Sequence, residues 1–144
     1  MDVPVTILSP QQAVQLSPLV LAFMGDTVYD LLVREWLLTH ALGNVKALHR
    51  QAVGLVNASA QATAARAALE QLSEEEAAIF RRGRNTQSTP PKNADPGDYS
   101  QATGWEALFG YLYITGRQTR LRELFAIVIA IHEPTQKQHT KTRG

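Results

Sequence analysis

Ser17-Pro18-Leu19-Val20-Leu21-Ala22-Phe23-Met24-Gly25-Asp26-Thr27-Val28-Tyr29-Asp30-Leu31-Leu32-Val33-Arg34-Glu35-Trp36-Leu37-Leu38-Thr39-His40 is the stretch that decides the fold. Ser17 is a helix N-cap type, and Pro18 suits the first helical position, where a missing N–H costs nothing. The helix predicted from there runs to about His40, with Gly43 as its C-terminal cap. From Leu19 to Leu38 the only polar side chains besides the Tyr29 phenol are Asp26, Thr27, Asp30, Arg34, Glu35 and the indole of Trp36. At about 100° per residue, Asp26, Thr27, Asp30 and Arg34 share one stripe roughly 100° wide. The rest of the circumference is apolar, which predicts burial on three sides and a helical core around it.

The flanking sequence is punctuated in the same way. Asn44 caps a segment from Val45 to about Leu72, with a break expected near Gly54 and Asn57. Ser73 and Glu76 form a capping box, and the Glu74-Glu75-Glu76 run suits the positive end of the helix dipole. That helix leads into Arg81-Arg82-Gly83-Arg84-Asn85, where Gly83 and Asn85 let the backbone turn, and residues 86–97 read as a loop. Asp98, with Gln101 three residues on, opens a helix to about Thr115, ended by Gly116. A last helix spans about Gln118 to His132, with Leu121, Leu124, Phe125, Val128 and Ile131 at helical spacing, and Pro134 stops it. No strand alternation and no repeat is present. The expectation is an all-α bundle of five to seven helices over residues 1–134, followed by a basic polar tail, 135–144.

Composition narrows the function classes. A chain of 144 residues with 44% hydrophobic side chains can bury one core, and its lack of cysteine excludes disulfide scaffolds, thiolate metal sites and cysteine nucleophiles. Met1-Asp2-Val3-Pro4 carries no basic-then-apolar leader, and no uncharged apolar run reaches about 18 residues, so a soluble cytoplasmic protein is expected. The net charge of +1 conceals an uneven distribution. Residues 1–79 hold 8 acidic and 4 basic side chains, whereas residues 80–144 hold 10 basic and 5 acidic ones. A basic C-terminal half of this kind favours a polyanionic partner.

Two acids stand out. Asp30 can pair with Arg34 one turn on, but Asp26 has no such partner. Glu106 is the only acid between Tyr99 and Arg117, inside an otherwise apolar helix. A carboxylate in such surroundings is costly unless paired. Each acid can meet an arginine or a helix N-terminus; alternatively, with Gly25 allowing close approach, the two can share a divalent cation. Arg81, Arg82, Arg84 and Lys92, with Asn85 and Asn93 among them, either track a phosphate backbone or form a solvated helix end. His40, His49, His132 and His139 have no ligand spacing to one another. An unrelated all-α phosphohydrolase would need further His or Glu ligands, and none stands at helical spacing.

Leu21-Ala22-Phe23-Met24-Gly25-Asp26-Thr27-Val28-Tyr29 resembles the signature helix of the ribonuclease III family, and Glu106-Ala107-Leu108-Phe109-Gly110-Tyr111-Leu112-Tyr113 resembles its second acidic motif. Together with Arg82-Gly83-Arg84-Asn85 and Pro91-Lys92-Asn93, the pattern is most similar to the Mini-ribonuclease III branch, the catalytic domain without a double-stranded-RNA-binding domain. The resemblance covers Leu16 to Ile131. Where longer members have two further acids, this chain has Ala22 and Thr103. The resemblance implies an Mg²⁺-dependent endoribonuclease, with Mn²⁺ a possible substitute, that cleaves double-stranded RNA to 5′-phosphate and 3′-hydroxyl ends. Asp26 and Glu106 would be its catalytic metal ligands. It further implies maturation of 23S ribosomal RNA precursor, a homodimer joined through Phe23 and Met24, RNA contacts from Arg81, Arg82, Arg84, Asn85, Lys92 and Asn93, and a possible ribosomal protein as accessory. The losses at Ala22 and Thr103 leave one alternative, a catalytically silent RNA-binding dimer acting in ribosome assembly.

Overall fold

Capping side chains set most of the helix boundaries in the computed structural model, which describes the backbone of residues 7–141 and the side chains of residues 7–132. Seven α-helices follow in order: α1 (Pro10–Ala13), α2 (Pro18–His40), α3 (Val45–Val56), α4 (Ala58–Ala68), α5 (Glu74–Arg84), α6 (Pro96–Ile114) and α7 (Gln118–Lys141), with a 3-10 turn at Leu69–Gln71 between α4 and α5. Among the described residues there is no strand, and no helix long and apolar enough to cross a membrane. Ser17, Asn44 and Ser73 cap α2, α3 and α5 as their residue types predict. Asn57 serves both sides of a corner: its amide donates to Val53 O at the end of α3, and its Oδ1 accepts from Ala60 N at 2.8 Å to start α4.

Four expectations need correction. The loop gives way to α6 at Pro96, because Asp95 rather than Asp98 is the cap and accepts from the Asp98 N–H at 2.9 Å. Both aspartates are capping types, and Pro96 at the first helical position is what separates them. Helix α7 passes Pro134 and reaches Lys141. Proline's fixed φ is itself helical, so the residue weakens a helix interior, through one lost backbone hydrogen bond and crowding of the carbonyl a turn earlier, without always ending it. The basic tail's side chains, including His139, lie outside the described residues, as do residues 142–144 entirely. The cap of α2 is Ala41; Gly43, at φ +131°, supports the connection that follows. Gly83, finally, is buried inside α5 and makes no turn.

Helix α6 is the axis of the bundle, with α2, α4, α5 and α7 packed around it. From Ala102 to Leu112 every residue is buried except Glu106. A helix apolar on all sides is stable in water only when enclosed in this way. Trp105, Phe109, Tyr29 and Phe125 form its aromatic centre, with Tyr29 edge-on to Phe109 at 5.0 Å between ring centres. On the α5 side Glu76 is buried and receives two hydrogen bonds from the Arg120 guanidinium, at 2.8 and 2.9 Å.

Candidate active site

The site begins with two glycines. Where α2 crosses α6, an ideal Cβ on Gly25 would overlap the Glu106 carbonyl oxygen and stand 2.9 Å from Gly110 N, and one on Gly110 would overlap the Leu21 carbonyl. Only hydrogen at both positions allows the two backbones to touch. The residues after Gly25 and before Gly110 on these helices are thereby brought together. The carboxyl groups of Asp26 and Glu106 come within hydrogen-bonding reach of each other. Asp26 is exposed and Glu106 half-buried, so the pair lies at the mouth of the crossing rather than inside an apolar core, as the apolar surroundings had predicted for both.

Burial pushes the Glu106 carboxyl up to about 8, and the hydrogen bond and negative charge of Asp26 push the same way. Gln61 opposes this with a hydrogen bond to the charged form. Among the described residues neither acid is in an ion pair, whereas the expected Asp30–Arg34 pair forms at 2.9 Å. Two carboxyl groups facing each other repel when both are ionised, and a cation between them removes the repulsion. Among the described residues no group of three or more His, Cys, Asp and Glu could hold a metal. The positions where further acids could stand hold Ala22, which is buried, and Thr103, whose hydroxyl donates to its own helix at Tyr99 O.

Gln61 was not anticipated. It lies on α4, 3% exposed, and its amide donates to Val56 O at 2.8 Å. The sequence signal is a polar side chain in a stripe of Ala58, Ala65 and Ala68, spaced at −3, +4 and +7 from it. The Tyr29 hydroxyl and the Trp105 indole nitrogen are buried as well, beside each other.

The basic residues gather at the other flank of α6. Gly83 abuts Gly104 and Ala107, so the end of α5 reaches α6 within half a turn of Glu106. Arg81 and Arg82 are exposed there, and Arg82 reaches Leu16 O at 3.5 Å. Arg84 lies over the Phe80 ring and donates to Asn85 Oδ1 at 3.2 Å. Lys92 and Asn93 are exposed on the α5–α6 connection. Phe23 is 81% exposed, and Met24 is half-buried against the core. With Leu19, Val20, Leu31 and Leu38 also exposed, α2 is not buried on three sides within one chain; its outward face is largely apolar.

Comparison with known proteins meets this geometry. The ribonuclease III domain model matches residues 19–117, which include both acids and the basic end of α5. Mini-ribonuclease 3 of Clostridium tetani is 38% identical over 136 residues, covering 93% of this chain and 90% of its own length. That of Symbiobacterium thermophilum is 46% identical over 110 residues, covering 76% of this chain and 85% of its own. The crystal structure of a Fusobacterium nucleatum protein superposes with a TM-score of 0.74 at 29% identity, over 81% of this chain and 93% of that one. A helical bundle whose match spans the paired acids, with relatives of this kind along nearly its whole length, belongs to the ribonuclease III family, among the Mini-ribonuclease 3 endoribonucleases.

Proposed function

We propose that the chain cleaves double-stranded RNA at Asp26 and Glu106 with a divalent cation, Mg²⁺ or in its place Mn²⁺, and that its substrate is the precursor of 23S ribosomal RNA. The observation that carries the reading is the meeting of two carboxyl groups across the Gly25–Gly110 crossing, at a solvent-facing mouth. Hard oxygen donors of this sort suit Mg²⁺, which keeps several of its waters and needs few protein ligands. A cation held by Asp26 and Glu106 would supply an activated water and neutralise charge at the scissile phosphate, the chemistry that leaves 5′-phosphate and 3′-hydroxyl ends. Asp26 and Glu106 hold and orient it. Arg81, Arg82 and Arg84, with Asn85, Lys92 and Asn93, bind backbone phosphates and 2′-hydroxyls, the groups through which duplex RNA is read.

The protein works as a homodimer. An aromatic ring as exposed as Phe23, among Leu19, Val20 and Leu31, makes an apolar surface that water disfavours and a second copy would cover. Phe23→Asp converts the dimer to monomer in sedimentation; a dimer that survives the charge places the interface elsewhere. The function itself is tested by incubating the protein with a base-paired stem of 23S precursor RNA, with Mg²⁺ and with EDTA. Cleavage with Mg²⁺ alone, lost in Asp26→Asn and in Glu106→Gln, is expected. Cleavage in EDTA contradicts the proposal, and tight salt-sensitive binding without any cleavage identifies a silent RNA-binding dimer instead.

A further inference from the structure

We infer that the exposed face of α3, running from Lys46 through Arg50 to Gly54, is a second surface for the phosphate backbone of duplex RNA, separate from the basic end of α5. The inference rests on the reading of this chain as a duplex-RNA enzyme. Its first support is charge. Residues 1–79 are acidic overall, yet between Glu35 and Glu70 there is no acid at all. That stretch holds Lys46, His49 and Arg50 on α3 and Arg66 on α4. Arg66 is paired with Asp98 at 3.0 Å. Lys46 and Arg50 are exposed and, among the described residues, in no ion pair.

The second support is the helix itself. Lys46, Arg50 and Gly54 stand four apart, on one line along α3. Like charges at that spacing repel, and glycine within a helix is less stable than alanine. Among the described residues nothing offsets either cost. Gly54 lacks the left-handed backbone that favours glycine, and a Cβ built on it would meet nothing within 4 Å. Gly25, Gly83, Gly104 and Gly110, by contrast, are each pressed against a neighbouring helix. A polyanion laid on α3 accounts for both features: it neutralises the two cations, and it comes close to main chain where no side chain stands.

The third support is position. Asp26, Asp30 and Arg34 share one stripe of α2, with Arg34 about 12 Å along the helix from Asp26. Arg34 and His49 line one groove between α2 and α3, together with Leu37 and Leu48. A strand lying along that stripe passes from the two acids onto α3. Contacts of this kind hold the duplex in register and read no sequence.

The test is binding of a base-paired RNA stem to the full chain in EDTA as salt is varied, beside thermal denaturation and sedimentation. Wild type is compared with Lys46→Ala combined with Arg50→Ala, and with Gly54→Leu. The new residues are better helix formers than those they replace, so both variants should melt at or slightly above wild type. The double variant is expected to bind at least about tenfold more weakly at about 0.1 M salt, and to lower the slope of log affinity against log salt by about 2. Gly54→Leu is expected to weaken binding although it removes no charge. Unchanged affinity in both variants overturns the inference and leaves RNA binding by α5 standing. Unchanged affinity with the dimer lost in sedimentation also overturns it, and gives the face to a second copy of the chain. A wild-type chain without salt-dependent binding to the stem overturns the duplex-RNA reading and the inference with it.

Discussion

Glu76 and Glu106 are glutamates on neighbouring helices, both reached by hydrogen bonds and both withdrawn from water, yet their environments work in opposite directions. Burial pushes the Glu76 carboxyl up, but the Arg120 guanidinium and the Ser73 cap outweigh it and hold it below the ordinary carboxylate value. Its neighbour Glu75 is lowered too, by Arg117 and the Tyr111 hydroxyl. Among the described residues no cation stands beside Glu106; burial and Asp26 drive it up to about 8. One acid is arranged so that its charge stabilises the fold. The other is arranged so that its charge costs stability until something cationic arrives, which is the usual mark of a site rather than a strut.

The strongest way to break this contrast is to separate the helices that create it. Gly25→Ala puts a methyl group into the α6 backbone, and overpacking against main chain, which cannot rotate away, should cost at least about 3 kcal/mol. Thermal denaturation would show a folded state largely lost, together with both acids' proximity. Retention of the wild-type melting temperature would mean that the crossing is looser than described.

Glu76→Gln sharpens the contrast from the other side. Losing the charge-assisted bonds from Arg120 should cost about 2 kcal/mol, while RNA cleavage below the melting range stays as in wild type. The pH dependence follows from the sign of the shift. A depressed carboxyl contributes its full stability above the unfolded value, and loses it as pH falls through the lower folded value. Wild-type stability therefore drops on acidification below about pH 4.5, and Glu76→Gln should show a shallower drop. Parallel acid profiles would place the acid sensitivity in other groups.

The basic end of α5 should matter least to stability and only to binding. Arg82→Ala combined with Arg84→Ala should leave the melting temperature within a degree or two, raise KM for duplex RNA, and reduce the slope of log affinity against log salt by about 2. An unchanged slope would remove those arginines from the RNA interface.

Much of this was legible in the residues themselves. Ser17-Pro18, Asn44 and Ser73 with Glu76 declare their helix starts through local chemistry, and local chemistry is what a sequence displays. Asp26 and Glu106 were visible as charges without a partner on their own helices. What stayed hidden depends on the partner helix. Gly83 reads as a turn until Gly104 is placed against it. Gln61 reads as an unremarkable polar residue in an alanine-rich helix until α4 is laid on α6. The burial of α2 was overstated, because an apolar face does not reveal whether its cover comes from the same chain.

The most direct test measures stability and cleavage together in Glu106→Gln, without and with Mg²⁺. Removing one of two facing acids should leave the metal-free melting temperature equal to or above wild type, while cleavage of the RNA stem falls at least about hundredfold. A variant that melts several degrees lower, or that cleaves as wild type does, would contradict the account.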